Sequence, residues 1–549
     1  MNATDLKCPI DLLEHWARTR PQSVYLRQPE HGKIREMTWA TVWDQTRRMA
    51  SALLSMGLEA GDRVAIIAKN SAEWFIADFA IQAAGLVSAP VYPTASSETI
   101  RYILEHSESK VAFIGKLDDM TLVKSGLPKD ITTIAMTYLT LHCDHRWQDL
   151  IKSHDPLQPV ARASLNDLLT IVYTSGSTGK PKGVELTCRN MAYGGKAPME
   201  KLELRPEDRL ISYLPLAHAF ERGVIEHGSL YHGASVSFVD SLDTFAEDVR
   251  NASPTVFQSV PRLWMKFHSG VLGKMPQRKL DLLLRLPVLG NVVRKKIKTQ
   301  LGLQNARICI SGSAPISPAI LHWFERLGIN ISEGWGMTET GGASTVNYPY
   351  RSDKVGTIGD PTPGTEIKIS AEGEILVRGD GVFSCYHKEP AKTEEVLSNG
   401  WLHTGDKGEI DSDGYLRITG RVKDIFKTAK GKYIAPVPIE SLLFEDEHIE
   451  QVCVVGSGLP QPVALAVLSH ETTDGVPEHE IRQSLSQSLD RVNAQLGRHE
   501  QLGRIIVVPD EWTVENEFLT PTMKIKRELI EEKYETVVTL PAESEVVLL

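Results

Sequence analysis

The sequence predicts an α/β protein with a large N-terminal region of α/β subdomains, a β-barrel-like subdomain and a small α+β C-terminal domain. Three observations support this. Short apolar runs alternate with helical-period segments up to about residue 360, and alternating apolar and polar residues follow. A last segment from Lys423 returns to strands separated by helices. The chain has 549 residues, 42% of them hydrophobic, which is too much for one ordinary domain.

The first region reads as parallel strands joined by crossover helices. Residues 73–85 place apolar side chains at helical spacing and end at Gly85, as a crossover helix does. The predicted strands are RVAIIA (63–68), LVSAPVY (86–92), KVAFIG (110–115) and ITTIAM (131–136).

The other two parts follow from a change of pattern. Strict alternation in EIKIS, GEILVRG and GEIDSDGYLRITG predicts antiparallel strands, with a hairpin turn at Asp413-Gly414. The runs QVCVVG, VALAVL and GRIIVV with helices between them predict the C-terminal domain. We therefore divide the chain into domains at residues 1–422 and 423–549.

Composition excludes several classes of protein. A net charge of -10 opposes nucleic-acid binding. The N-terminus lacks the apolar core of a secretory signal, and the longest apolar stretch, Trp74 to Tyr92, is interrupted by Asp78 and Gln82. The six cysteines are far apart and form no metal-ligand pattern, so we expect buried thiols in a reducing, cytoplasmic compartment. They are Cys8, Cys143, Cys188, Cys309, Cys385 and Cys453.

The sharpest chemical signal is TSGSTGKPKG at 174–183, directly after the strand-like run LLTIVY. Its glycines let backbone N–H groups face an anion, while hydroxyls and lysines add donors and charge, which is typical of a polyphosphate site. A Walker P-loop is excluded, because Thr174 stands where the first glycine is required and Pro181 follows Lys180. A flexible linker is the other alternative. The binding candidates are Thr174, Ser175, Gly176, Ser177, Thr178, Gly179 and Lys182.

This segment resembles the phosphate loop of the adenylate-forming superfamily, which includes acyl-CoA synthetases, peptide-synthetase adenylation domains and firefly luciferase. The resemblance runs from about residue 40 to 535. It implies a mobile C-terminal domain and activation of a carboxylic acid by ATP and Mg²⁺. Further motifs in family order are ISGSAP (310–315), GWGMTET (334–340), WLHTGD (401–406), GRVKD (420–424), KGKYIAP (431–437) and PTMKIKR (521–527).

The motifs also carry physical roles. In GWGMTET, Trp335 offers an apolar face for adenine, Thr338 a hydroxyl for the α-phosphate, and Glu339 an oxygen ligand for Mg²⁺, shared with Thr178. A core aromatic and a solvated carboxylate are the alternative. Asp406 suits the ribose hydroxyls and Arg421 can donate to ribose or phosphate, although a solvated surface pair fits them equally. The remaining nucleotide candidates are Gly312, Ser313, Ala314, Gly334 and Gly336.

The resemblance assigns catalysis to Lys524 of the C-terminal domain, together with Thr338 and Glu339 of the N-terminal domain. Much of the superfamily has glycine before this lysine, whereas Met523 stands here, so Lys526 is the reserve candidate. The implied hinge is Lys423, and Gly431 gives the KGKYIAP loop freedom to approach coenzyme A.

YLPLAHAFER (213–222), KGKYIAP and PTMKIKR resemble the long-chain acyl-CoA synthetase branch, which implies a fatty acid substrate. His218 is either a gate at the acyl pocket or a buried, hydrogen-bonded histidine. The stretch 279–300 mixes leucines with Arg294, Lys295, Lys296 and Lys298, so it either rests on an anionic membrane or packs with a solvated face. We expect a monomer or homodimer. The alternatives are transfer to an acyl carrier protein, a luciferase-like oxidase and a non-catalytic nucleotide-binding homologue.

Overall fold

The computed structural model describes residues 6–30, 32–137, 142–174, 180–514, 516–520, 524–540 and 544–549. Its strands up to Arg421 are β1 Val24–Glu30, β2 Lys33–Thr38, β3 Arg63–Ile67, β4 Val87–Val91, β5 Ser109–Ile114, β6 Thr132–Ala135, β7 His145–Arg146, β8 Leu168–Thr174, β9 Lys182–Thr187, β10 Arg209–Ser212, β11 Ser235–Phe238, β12 Val256–Ser259, β13 Ile308–Ser311, β14 Ile331–Met337, β15 Gly342–Val346, β16 Asp360–Pro361, β17 Thr365–Ile369, β18 Glu374–Gly379, β19 Cys385–Tyr386, β20 Leu397–Ser398, β21 Trp401–Ile410 and β22 Leu416–Arg421. The strands that follow are β23 Phe426–Lys427, β24 Tyr433–Ile434, β25 Ile449–Val455, β26 Val463–Leu468, β27 Arg504–Val507 and β28 Val546–Leu548.

The helices connect these strands in the order expected of α/β units. They are α1 Pro9–Thr19, α2 Trp39–Ser55, α3 Ala72–Ala83, α4 Ser97–Ser107, α5 Met120–Gly126, α6 Trp147–Ser153, α7 Cys188–Lys201, α8 Ala219–Glu221, α9 Gly228–His232, α10 Phe245–Ala252, α11 Pro261–Leu272, α12 Gln277–Leu284, α13 Pro287–Gln300, α14 Pro318–Arg326, α15 Pro390–Val396, α16 Pro436–Leu443, α17 His470–Thr473, α18 Glu478–Asn493 and α19 Arg527–Thr539. A π-helical turn, Arg222–His227, joins α8 to α9, and Thr338–Thr340 and Ser352–Lys354 form 3₁₀ turns.

Three sheets build the first region, two of them mostly parallel and the third divided equally between parallel and antiparallel pairs. The largest has the order β19-β9-β8-β4-β3-β5-β6-β7, the second β10-β11-β1-β2, and the third β12-β13-β14-β15-β16. The four predicted strands of the first region are therefore confirmed as β3 to β6. The predicted crossover helix is confirmed as α3, every residue of which is buried. Because α3 is covered on all sides, its apolar pattern extends around the helix instead of marking one face.

The antiparallel part forms the sheet β17-β18-β21-β20, with β22 pairing β21. The predicted turn is present, since the Gly414 N–H donates to the Asp411 carbonyl at 3.0 Å. Within the described residues no recorded pairing closes this sheet, so the barrel-like expectation becomes an open antiparallel sheet. The last sheet, β25-β26-β27-β28, combines one antiparallel pair with two parallel pairs.

The cysteine prediction is wrong for one pair. Cys8 and Cys188 are joined as a disulfide with their Cα atoms 5.7 Å apart. Cys8 precedes α1 and Cys188 begins α7, so tertiary packing brings together two residues that are 180 positions apart in the sequence. The other four cysteines are free thiols, with Cys385 half-buried.

Among the described residues, no helix is both long and apolar enough to cross a bilayer.

Candidate active site

Strand ends of the third sheet build the floor of a cleft. β13 and β14 run parallel, so the residues that follow Ser311 and those around Gly334 lie at neighbouring positions. A Cβ atom on Gly312 would stand 3.3 Å from the Gly334 carbonyl oxygen. The backbone of the ISGSAP turn therefore lies against the GWGMTET strand, and Ser313 adopts a left-handed φ of 69°. Ala314 is exposed at the same turn.

Gly336 is a glycine for a steric reason. A Cβ atom there would lie 1.9 Å from the Gly342 carbonyl oxygen, because β14 and β15 pair closely where their register shifts. Since no side chain tolerates such an approach, larger residues would separate the two strands. The turn of Thr338–Thr340 follows immediately.

Trp335 serves both the core and the cleft. Its ring packs with Ile375, Val377 and Leu416 and is 8% exposed. The indole N–H donates to Asp406 Oδ2 at 3.0 Å. The core-aromatic alternative therefore describes part of its environment, and the predicted adenine contact stays a prediction.

Asp406 and Arg421 face each other across the β21–β22 pair. The Arg421 Nε atom donates to Asp406 Oδ1 at 2.8 Å. Asp406 is buried and carries the Trp335 bond as well, whereas the Arg421 side chain is about half exposed. A buried carboxylate held by two donors differs from the simply solvated pair that was the alternative.

Glu339 is held at two points by the segment before α15. Its carbonyl oxygen accepts the Phe383 N–H at 2.8 Å, and its Oε1 accepts the Tyr386 hydroxyl at 2.8 Å. Within the described residues, Oε2 has no recorded hydrogen-bond donor. Thr338 and Glu339 are both buried. Hard oxygen atoms at a fixed position fit Mg²⁺.

The phosphate-loop predictions fall partly outside the described residues: Ser175, Gly176, Ser177, Thr178 and Gly179 do. Thr174 ends β8 and Lys182 begins β9, which pairs antiparallel with it. The Lys182 Nζ atom lies 4.8 Å from the centroid of the Tyr386 ring.

Lys524 comes from the C-terminal domain and faces the same cleft. Burial and then the Arg421 charge lower the pKa of the Lys524 ammonium, while Asp406 and Glu339 act in the opposite direction. Its side chain nevertheless remains exposed to solvent. The reserve candidate, Lys526, lies two residues further on, and its backbone N–H donates to the Phe518 carbonyl at 2.9 Å.

His218 lies close enough to feel the charge of Lys524. Burial and then Lys524 lower the pKa of His218 to about 4, so the imidazole is neutral at pH 7. Its Nδ1 accepts the Phe220 N–H at 3.1 Å, which caps the short helix α8. The hydrogen-bonded alternative is therefore part of its environment, and the gating role stays a prediction.

Sequence reasoning missed two groups beside these residues. Tyr386 belongs to a two-residue strand that no periodicity marks. Glu221, in HAFER, is fully buried and accepts from Ser212 Oγ at 2.8 Å and the Tyr213 N–H at 3.0 Å. Burial raises the pKa of Glu221 to about 8. The burial of this carboxyl group and its neutral hydrogen-bond donors could not be predicted from the sequence, because both depend on the fold.

The predicted hinge and loop lie at the start of the C-terminal domain. Lys423 is exposed in the turn after β22. Gly431 has a φ of 76° at the tip of the β23–β24 hairpin, where its N–H donates to the Thr428 carbonyl at 2.8 Å. The two domains touch through Arg262 Nη2 and Glu450 Oε1, 2.5 Å apart, and through Ser317 Oγ and Glu445 Oε1, 3.0 Å apart.

The fold and the cleft together define the class, a two-domain adenylate-forming enzyme. The AMP-binding enzyme family model matches residues 13–387, and the AMP-binding enzyme C-terminal domain model matches residues 423–540. The chain therefore belongs to the AMP-binding enzyme family.

Its relatives include Long-chain-fatty-acid–CoA ligase FadD15 of Mycobacterium tuberculosis, 32% identical over 95% of both chains. Long chain acyl-CoA synthetase 7, peroxisomal, of Arabidopsis thaliana is 30% identical over 94% of this chain and 84% of the relative. Among solved structures, the anthranilate CoA ligase AuaEII in complex with anthranoyl-AMP has a TM-score of 0.81 and 23% identity, covering 98% of this chain and 100% of that one. At that identity the likeness establishes the fold alone.

Proposed function

We propose that this protein is an AMP-forming ligase that activates a long-chain fatty acid with ATP and transfers the acyl group to coenzyme A. The observation that carries the proposal is the convergence of Lys524 with Glu339, Asp406 and Arg421 in one cleft. The curated relatives, named as long-chain-fatty-acid–CoA ligases over nearly the whole chain, support the substrate class.

The chemistry has two steps. The fatty carboxylate attacks the α-phosphorus of ATP, pyrophosphate leaves and an acyl-adenylate forms. The thiol of coenzyme A then attacks the activated carbonyl carbon and releases its proton to solvent. The bond between that carbon and the bridging oxygen breaks, and AMP leaves with the oxygen. Because the acyl-adenylate stays bound in the cleft, the second step needs no new encounter between the enzyme and the activated acyl group.

Each residue of the cleft has a separate role in the adenylation step. Lys524 stabilises the charge that develops between the carboxylate and the α-phosphate. Thr338 donates to the α-phosphate, and Asp406 accepts from the ribose hydroxyls. Glu339 and Thr178 would hold Mg²⁺, which offsets polyphosphate charge when bound. The phosphate loop from Thr174 to Gly179, with Lys182, would receive the β- and γ-phosphates.

Purine recognition would fall to the two strand-end turns. Gly312, Ser313 and Ala314 let the backbone approach one edge of the ring, and Gly334, Trp335 and Gly336 give the opposite wall. The closeness of these turns at Gly312 and Gly334 supports this arrangement.

A domain rotation between the two steps completes the proposal. We take 1–422 as the adenylation domain and 423–549 as the mobile domain, with Lys423 as the hinge. Rotation would withdraw Lys524 and bring the loop of Gly431 to the cleft. The domain contacts at Arg262 and Ser317 are polar, which supports a reversible interface.

The acyl group would enter next to His218. A neutral imidazole there leaves an uncharged path for a hydrocarbon chain, since protonation at pH 7 is opposed by burial and by Lys524.

The first test is AMP release with magnesium-ATP and coenzyme A across acids from acetate to oleate. Turnover that peaks at long chains supports the proposal. AMP release only when a carrier protein replaces coenzyme A would favour the alternative, a ligase that transfers the acyl group to an acyl carrier protein. No pyrophosphate–ATP exchange with any acid would reject adenylation and leave a nucleotide-binding homologue.

Peripheral membrane contact through the helical hairpin of α12 and α13 is the second part of the proposal. Its exposed apolar side chains are Leu282, Leu286, Val288, Leu289 and Val292, each between 43% and 76% exposed. The same segment carries exposed cations at Arg278, Lys279, Arg285, Lys295 and Lys296. Exposed apolar side chains together with exposed cations match an anionic bilayer, the source of the proposed substrate.

Two of the four cations in the sequence prediction form hydrogen bonds within the protein. Arg294 Nε donates to the Arg326 carbonyl at 2.9 Å, and Lys298 Nζ donates to the Gly328 carbonyl. Both therefore fix the hairpin to the end of α14, and Lys295 and Lys296 remain for lipid headgroups.

Flotation with phosphatidylglycerol-containing vesicles tests this contact. The double variant Val288→Asp/Leu289→Asp should lose binding, because each apolar side chain contributes about 1.5–3 kcal/mol when buried. Leu242→Asp, an exposed leucine elsewhere, should bind like the unmodified protein. Equal flotation of all three proteins would reject the hairpin as the docking surface.

A further inference from the structure

Tyr386 lies between β9, the strand that follows the phosphate loop, and Glu339 of the GWGMTET segment. Its strand β19 pairs with β9, with Tyr386 opposite Val184 and Cys385 opposite Glu185. β9 is the strand that leaves the phosphate loop at Lys182. Tyr386 is therefore attached by backbone pairing to the strand that follows the phosphate loop, while its side chain reaches Glu339.

The side chain makes two contacts of different kinds. Its hydroxyl donates to Glu339 Oε1 at 2.8 Å, and its ring lies 4.8 Å from the Lys182 ammonium. Tyr386 is 5% exposed, so neither contact competes with bulk water. The Tyr386 N–H also donates to Thr393 Oγ1 at 2.9 Å, which ties the backbone to α15.

This arrangement leaves each charged group free for a ligand. The hydroxyl uses one oxygen of the Glu339 carboxylate and so sets the direction of the other, Oε2. The ring attracts the ammonium electrostatically and accepts no conventional hydrogen bond from it, so Lys182 keeps its N–H donors for phosphate.

We propose that Tyr386 is a positioning residue that orients Glu339 toward the metal ion and Lys182 toward the polyphosphate. The proposal rests on the proposed function, because it assigns these two groups to magnesium and ATP. A carboxylate that binds a metal usually depends on such outer hydrogen bonds, and their loss typically weakens metal binding about 10–100-fold.

Tyr386→Phe tests the hydroxyl, because it keeps the ring and removes only the donor. Binding of Mn²⁺ in the presence of a non-hydrolysable ATP analogue, followed by electron paramagnetic resonance, should be about 10–100-fold weaker than in the unmodified protein. The matched control is Tyr534→Phe, since Tyr534 is equally buried and its hydroxyl donates to Asp510 at 3.0 Å within the C-terminal domain. The control should bind Mn²⁺ normally.

Tyr386→Leu tests the ring as well. The KM for ATP at saturating Mg²⁺ should rise in this variant and stay near its original value in Tyr386→Phe, which separates the two roles. Melting temperatures of all variants report whether the fold persists.

Unchanged Mn²⁺ binding in a folded Tyr386→Phe protein would overturn the proposal, as would equal weakening in Tyr534→Phe. Failure of the proposed function has a different signature, since the unmodified protein would then lack pyrophosphate–ATP exchange with every acid. Normal exchange in the unmodified protein with unaltered metal dependence in Tyr386→Phe would reject only the positioning role.

Discussion

Removing the Lys524 ammonium should abolish most of the first half-reaction and spare the second. The ammonium meets developing negative charge inside a cleft where Arg421 already opposes its protonated form and Asp406 and Glu339 support it. At an effective dielectric constant of about 20, a unit charge about 4 Å away contributes about 4 kcal/mol. Lys524→Ala should therefore lower the adenylation rate by a factor of about 10³.

Pyrophosphate–ATP exchange with oleate measures this step alone. Transfer from synthetic oleoyl-AMP to coenzyme A measures the second step and should change little, because Lys524 has no part in it. Lys526→Ala is the matched control in the same segment and should keep exchange within about threefold, as expected for a surface substitution. Retained exchange in Lys524→Ala, or a larger loss in Lys526→Ala, would refute the assignment.

Three further predictions concern the hinge, a buried acid and the anchor of the catalytic segment. Lys423→Pro fixes φ near −65° in the hinge turn, so it should spare pyrophosphate–ATP exchange and impair thioester formation; equal loss in both assays would contradict the hinge. Burial raises the pKa of Glu221 to about 8 from an ordinary 4.5. The folded protein therefore keeps a proton that the unfolded chain releases, and this stabilisation is complete below pH 4.5 and lost as the pH rises through 8. Glu221→Gln should flatten that decline by an amount on the order of 4 kcal/mol in urea unfolding, and an unchanged pH slope would mean that Glu221 is ionised in the fold. Arg527 donates to Glu440 Oε1 at 2.6 Å and to the Val454 carbonyl at 2.6 Å. Arg527→Ala leaves Glu440 without its buried partner and should destabilise the C-terminal domain by about 3–5 kcal/mol; a calorimetric transition at the original temperature would disprove it.

Glu221 also illustrates how a buried acid can be satisfied as a neutral group. Gln258 Nε2 donates to Glu221 Oε2, while Gln258 Oε1 has no partner among the described residues. Exchanging the two amide atoms of Gln258 turns that oxygen toward Glu221, and a protonated carboxyl can then donate to it. The orphaned oxygen and the raised pKa of Glu221 therefore have one common explanation.

The sequence predicted the strands of the first region because their signals are local. Strands β3 to β6 are runs of apolar residues between turns, and α3 ends beside Gly85. The hairpin at Asp413-Gly414 depends on two adjacent residues. The motif residues were likewise recognisable by residue type and order, since the chemistry of phosphate and carboxylate requires hydroxyls, lysines and acids.

Only the tertiary structure decided which of these residues meet and in which protonation state. Trp335 and Asp406 are 71 residues apart, and Glu339 and Tyr386 are 47 apart, yet each pair shares a hydrogen bond. The disulfide between Cys8 and Cys188 and the neutral Glu221 depend on packing around them. Periodicity records which face of an element is buried, but contacts between distant segments and the loss of water around a charge arise only when the sheets pack together.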